Sequence, residues 1–198
     1  MDKRLGAVAV FCGSNSGNIR IFRDKAYEVG ALLAKRDIAL VYGGAKVGLM
    51  GSVAKGAYEN GGVVVGVMPT FLKIKELDNK EITKLVEVEN MHERKMEMHN
   101  LSDGVITLPG GFGTFDELFE MLTWAQLSIH KKPIALYNIN GFFDPLKSMI
   151  SNMVENGFLK KVYLQTIIIE SDINIILNKM ESYVAPDLEK WIHSSEDI

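Results

Sequence analysis

Short runs of consecutive apolar residues alternate along this chain with longer stretches in which apolar positions recur every three or four residues. Ala7–Cys12 (AVAVFC), Ile38–Tyr42, Val63–Met68 (VVVGVM), Gly104–Leu108, Ile134–Tyr137 and Ile167–Glu170 are of the first kind. Such runs are too short for core helices and lack the alternation of half-exposed strands, so they predict strands buried on both faces. Ile19–Lys35 is of the second kind, with Ile21, Phe22, Ala26, Val29, Leu32 and Leu33 on one side, and so is Thr114–Ile129, with Phe115, Leu118, Phe119, Leu122 and Ala125. Both predict amphipathic helices. Further helices are expected over Gly51–Asn60, where Gly61-Gly62 supplies the stop, and over Met91–Ser102, Phe143–Asn156 and Asp172–Ser182, with a short strand over Leu85–Glu89. Thr70–Lys84 is polar and irregular, the pattern of a mobile flap, and the charged tail from Ala185 reads as frayed.

Strands of this kind separated by helices imply βαβ crossovers. The expected class is α/β, a Rossmann-like three-layer sandwich with a central, mostly parallel sheet. No linker, repeat or low-complexity stretch interrupts the 198 residues, so one domain over 1–198 is expected. Ligands of such sheets bind beyond the carboxyl ends of the strands. Three loops fall there: Gly13–Asn18, Gly43–Gly51 and Pro109–Thr114.

The strongest motif is Pro109-Gly110-Gly111-Phe112-Gly113-Thr114, between a strand and a helix. Glycines expose backbone N–H groups without side-chain obstruction, and a helix start adds free N–H groups and the positive end of its dipole. Together these predict a phosphate site with Thr114 opening the helix. Thr114-Phe115-Asp116-Glu117 also fits a capping box, so Glu117 has two readings, a cap or a catalytic carboxylate. Gly13-Ser14-Asn15-Ser16-Gly17-Asn18 suits a phosphate or ribose equally as well as an N-cap cluster for the next helix. The loop Gly43-Gly44-Ala45-Lys46-Val47-Gly48 misses the dinucleotide fingerprint by Ala45, and Gly111–Asp116 misses it by Asp116. No Walker A pattern is present either. His92-Glu93 begins a zinc motif that Met96 breaks, and the four histidines form no ligand set. Neither metal nor organic cofactor is expected. Arg94-Lys95 reads either as a solvated face or as a pair aimed at a nucleotide.

Composition narrows the partners. A net charge of −3 argues against nucleic acid, although a local site can still take a small anion. A lone cysteine, Cys12, excludes an internal disulfide and suits a reducing, cytoplasmic compartment. Ending a strand, it is more often a small buried hydrophobe than a nucleophile. No apolar run approaches a membrane span, and the N-terminal one is too short for a signal peptide. Trp124, Leu127 and Ile129 extend beyond the helix's core stripe, as core or as a subunit interface.

With these motifs the chain resembles the LONELY GUY family of cytokinin-activating phosphoribohydrolases over about Ala7–Tyr183. Four segments carry the likeness: Phe11-Cys12-Gly13-Ser14, Tyr42-Gly43-Gly44 through Gly51, Met91-His92-Glu93-Arg94-Lys95, and Pro109–Glu117, which matches P-G-G-x-G-T-x-x-E in full. The resemblance implies hydrolysis of N6-modified adenosine 5′-monophosphates to free base and ribose 5-phosphate, with Arg94 and Glu117 catalytic. It implies nucleotide binding by Gly110, Gly111, Gly113 and Thr114, and a homodimer; Ser14, Gly43, Gly44 and Lys95 are expected to join them at the substrate. Ala45 departs from the family's third consecutive glycine. Members are often labelled lysine decarboxylases, a chemistry that needs a pyridoxal phosphate lysine which no feature here selects. The rival readings are a broader purine nucleotide salvage hydrolase and a non-catalytic nucleotide or cofactor carrier.

Overall fold

The computed structural model describes residues 5–72 and 82–187. Residues 73–81 of the expected flap and the tail beyond residue 187 lie outside the described residues.

Strands β1 (Ala7–Phe11), β2 (Ala39–Tyr42), β3 (Val64–Pro69), β4 (Lys84–Val88), β5 (Gly104–Thr107), β6 (Ile134–Tyr137) and β7 (Ile167–Glu170) form one sheet in the order β4-β3-β2-β1-β5-β6-β7. Every pairing is parallel. The helices are α1 (Ile21–Lys35), α2 (Gly48–Glu59), α3 (Met91–Asn100), α4 (Phe112–Gln126), α5 (Asp144–Glu155) and α6 (Ile173–Glu181). This is the expected three-layer sandwich. The core splits in two because successive strand residues point to opposite faces. Val8 and Val10 join Val29, Leu33, Val53, Ile176 and Leu177 on the face of α1, α2 and α6. Ala9 and Phe11 join Met98, Leu118, Met121 and Phe143 on the other. No helix among the described residues is long and apolar enough to cross a membrane.

The strand order positions the site. The chain leaves β1 toward β2 and later returns to β1's other side through β5. The loops after β1 and β5 therefore diverge above the sheet, and such a switch point opens a crevice. Backbone bonds tie its walls: Gly13 N–H donates to Pro109 O at 3.1 Å, and Leu49 N–H donates to Gly13 O at 3.0 Å.

Two of the helix starts that differ from the sequence expectation bear on the site. Helix α2 begins at Gly48 rather than Gly51, because Leu49 buries on the same face as Val53. Helix α4 begins at Phe112 rather than Thr114, with Gly111 as its N-cap in an extended conformation (φ −101°, ψ −155°).

Candidate active site

A cleft of about 400 Å³ opens at the switch point, with Cys12, Ser14, Gly43, Arg94, Gly111 and Glu117 among its lining residues. The early start of α4 takes Glu117 out of the capping-box position. With Gly111 as N-cap, Thr114 is the third helical residue and Glu117 the sixth, a full turn past the capping position. No side chain caps this helix. The first residues of α4, Phe112, Gly113 and Thr114, whose N–H groups have no partner within the helix, line the cleft. A capping box does form at the start of α3: Asn90 Oδ1 accepts from Glu93 N–H at 2.9 Å, while Glu93 accepts from Glu89 N–H at 2.9 Å. Glu93 is thus occupied in opening α3, which sets the direction in which the next residue, Arg94, leaves the helix.

Glu117 sits on the cleft wall without the cap's bonds. Burial pushes its carboxyl up to about 7, against the pull of the Arg94 guanidinium; Asp116 and Glu120 add to the rise and Lys95 opposes it. A carboxyl poised near neutrality can hold or release a proton during a reaction.

Arg94 is buried, with 8% of its surface exposed. Its Nη2 donates to Gly43 O at 3.0 Å, and Met91 Sδ lies 3.8 Å from Nη1. Its Nε is buried and finds no acceptor among the described residues. A guanidinium stays protonated and carries five N–H donors. One carbonyl and soft thioether neighbours leave most of that capacity for Glu117 or for a bound anion.

The glycine loop contributes differently at each residue. A Cβ on Gly110 would overlap Thr114 Oγ1 and come within 2.9 Å of Gly13 N, so the fold itself needs this glycine. A Cβ on Gly111 or Gly113 would meet nothing within 4 Å, and neither residue has a positive φ. Nothing among the described residues demands glycine there, whereas a ligand resting against this backbone would.

The Ser14–Gly17 loop also lines the cleft. It does not cap α1, whose N-cap is Arg20 and which carries no side-chain cap bond. Two expected contacts are not brought into the lining. Gly44, at φ +80°, turns away, so that a Cβ there would lie 2.8 Å from Met68 Cε. Lys95 reaches across to α4 instead, its Nζ 3.1 Å from both Asp116 Oδ2 and Glu120 Oε1. Burial disfavours its charge, but these hydrogen bonds outweigh that and hold its ammonium above the ordinary lysine range. That is the reverse of what a Schiff-base lysine requires. Ala45 is buried outside the left-handed region, so its extra methyl is accommodated without backbone strain. Cys12 lies on the floor of the cleft with its thiol pushed well up, first by burial and then by Glu117, and is no nucleophile. Trp124 is half-buried against His99 at 5.3 Å and belongs to the core, whereas Ile129 is exposed. The sequence reading missed the apolar part of the lining, Phe22, Met50, Met91, Met98 and Phe142, because these residues also satisfy ordinary helical and loop patterns.

The family model described as "Possible lysine decarboxylase" matches residues 50–180. The probable cytokinin riboside 5′-monophosphate phosphoribohydrolase LOGL1 of Oryza sativa subsp. japonica is 44% identical, over 91% of this chain and 81% of that protein. The cytokinin riboside 5′-monophosphate phosphoribohydrolase LOG2 of Arabidopsis thaliana is 40% identical, over 91% and 85%. Among solved structures, the molybdenum cofactor binding protein of Rippkaea orientalis superposes with a TM-score of 0.68 at 22% identity, covering 90% of this chain and 97% of that one. That last likeness is one of fold.

Proposed function

We propose that this chain, which belongs to the cytokinin riboside 5′-monophosphate phosphoribohydrolase family, hydrolyses the N-glycosidic bond of N6-modified adenosine 5′-monophosphate, releasing the free base and ribose 5-phosphate. The observation that carries the reading is the meeting of Arg94 from α3 and Glu117 from α4 in one cleft with an unobstructed glycine loop.

In this proposal Gly110, Gly111, Gly113 and Thr114, with Ser14 opposite, hold the 5′-phosphate on the free N–H groups of α4. The ribose then lies over Glu117. As the C1′–N bond lengthens, positive charge grows on the sugar, and the Glu117 carboxylate stabilises it and orients the attacking water. The bond from water oxygen to C1′ forms as the C1′–N bond breaks. The base leaves with the bonding electrons and takes up a proton, and the water's hydroxyl stays on the ribose. Arg94 anchors the nucleotide beside Glu117 and favours the ionised carboxylate. As a general acid it is a poor choice, because its proton is held too tightly. The phosphate contact, remote from the reacting bond, fixes that bond against the carboxylate. No metal or organic cofactor enters these steps.

The same proposal takes residues 1–198 as one cytoplasmic domain acting as a homodimer. Exposed Phe119, Ile129, Met149 and Phe158 support a second copy as partner. Light scattering at micromolar concentration tests that part, and a monomer of 22.0 kDa contradicts it.

The function is tested by incubating the protein with N6-isopentenyl adenosine 5′-monophosphate, adenosine 5′-monophosphate and the two parent nucleosides, with free base as readout. Release from the nucleotides, with kcat/KM at least a hundredfold above the nucleosides, is the expected result. Equal rates with and without phosphate remove the role given to the glycine loop. Binding without release of base from any substrate makes the chain a carrier.

A further inference from the structure

Arg94 enters the cleft from α3, but the room its guanidinium occupies is made by the loop after β2, 51 residues earlier in the chain. A Cβ on Gly43 would overlap Arg94 Nη2 and would lie 2.8 Å from Cζ and 3.0 Å from Met50 Sδ. Gly43 is not in the left-handed region, so its backbone would accept any residue. The requirement for glycine is one of space alone. The carbonyl that receives Nη2 is equally fixed. It follows Tyr42 directly, and Tyr42 is held in register between Val10 of β1 and Gly66 of β3. With Nε unpartnered and thioethers at its sides, the guanidinium makes its one hydrogen bond to oxygen among the described residues with Gly43.

We infer that Gly43 is a positioning residue for Arg94: its carbonyl and its missing side chain together form the seat that holds the guanidinium against Glu117. This rests on Arg94 and Glu117 acting together as proposed above, and it replaces the substrate contact that the sequence leads one to expect at Gly43. The groups facing Glu117 are Arg94 and Lys95 from α3, Asp116 and Glu120 on its own helix, and Cys12 at the end of β1. Among them Arg94 exerts the strongest downward pull on the Glu117 carboxyl. A residue that seats Arg94 therefore acts on Glu117 at one remove.

The test is a cycle of Gly43→Ala, Arg94→Ala and the double variant. The atoms in the way are the far ends of two flexible side chains, Arg94 and Met50, and not backbone, so Gly43→Ala is expected to fold, and the double variant has room for the added methyl in any case. Glu117 is followed by carboxyl carbon NMR on protein labelled at glutamate, the signal being assigned by its loss in Glu117→Gln. Gly43→Ala and Arg94→Ala are each expected to raise the Glu117 titration midpoint by a similar amount, and the double variant no further. In turnover, Gly43→Ala is expected to lose roughly a hundredfold or more in kcat, as a misplaced group of this kind costs, and the loss is not repeated in the Arg94→Ala background. A Glu117 midpoint unchanged by Gly43→Ala, or shifted additively in the double variant, overturns the seat. An equal fall in nucleotide affinity in both backgrounds makes Gly43 a nucleotide contact and overturns it too. The NMR cycle needs no turnover, so a wild-type protein that releases no base sinks the hydrolase reading while the titration still decides on the seat.

Discussion

The loops Gly43–Gly51 and Pro109–Thr114 look alike in the sequence: each is rich in glycine and each joins a strand to a helix at the carboxyl edge of the sheet. The structure gives their glycines different neighbours. Around Gly43–Gly51 the space is taken by the protein itself. Arg94 fills it at Gly43, Met68 at Gly44, the Ser14 and Asn15 backbone at Gly48, and the Lys46 carbonyl at Gly51. Around Gly111 and Gly113 it is open. One loop lets the fold close on itself and seats a charged side chain; the other leaves its backbone bare to the cleft. A count of glycines cannot separate these uses, because the separating fact is what stands where the Cβ would be.

The largest effect that could break this comparison is on folding. A Cβ on Gly51 would lie 2.6 Å from the Lys46 carbonyl carbon, and Gly48 combines φ +63° with a Cβ 2.6 Å from Asn15 N. Backbone cannot swing aside as a side chain can, so Gly51→Ala or Gly48→Ala should cost several kcal/mol, on the order of 3 or more. Urea denaturation is the check, and a midpoint equal to wild type would show that this loop is not closed by its own backbone.

A smaller effect of opposite sign is expected at Gly113. Alanine inside α4 should stabilise the free protein by about 0.5–1 kcal/mol, since it orders a helical residue and touches nothing. The same methyl would stand where the nucleotide approaches, so affinity for adenosine 5′-monophosphate should fall tenfold or more. Calorimetry of both unfolding and binding measures the pair, and a Gly113→Ala protein that is both stabler and equally tight would leave the bare backbone without a purpose.

The pH dependence sharpens the contrast further. If the ionised carboxylate works, kcat/KM should rise with pH through about 7, the position of Glu117 in the free protein, and level off above it. The linked stability runs the other way. In the unfolded chain Glu117 titrates near its ordinary 4.5, so between there and about 7 the unfolded state binds fewer protons and stability falls as pH rises. Glu117→Gln escapes this, and its thermal midpoint should gain on wild type through that window and keep the gain above it. The smallest effect is assigned to Lys95, which bridges Asp116 and Glu120 outside the cleft lining. Lys95→Met leaves those carboxylates unbalanced, so the rising limb of kcat/KM should move to higher pH with a loss of only a few fold at neutrality. A nucleotide affinity that collapses instead would return Lys95 to the substrate.

Much of this architecture was legible in the sequence, for a physical reason. Parallel strands covered on both faces must be apolar throughout, and helices between them must be amphipathic, so Ala7–Cys12 and Thr114–Ile129 announce themselves. The three loops of the cleft follow from where strands end. The capping box at Thr114–Glu117 was misleading, because its spacing fits but the helix starts two residues earlier, on an extended Gly111. Helix starts depend on one residue's φ and ψ, which local spacing does not encode. Gly44 and Lys95 read as ligand contacts beside Gly43 and Arg94, yet the loop after β2 turns Gly44 inward toward Met68 of β3, and α3 aims Lys95 at α4. The seat at Gly43 was beyond reach, since it is a relation between residues 51 positions apart.

The central claim is that Glu117, freed from capping, does chemistry. Its most direct test is kcat of Glu117→Gln on N6-isopentenyl adenosine 5′-monophosphate, measured beside nucleotide affinity and thermal midpoint. The account expects an intact fold, affinity unchanged or slightly tighter, and turnover reduced by roughly a hundredfold or more. A folded Glu117→Gln enzyme that turns over near the wild-type rate would contradict it.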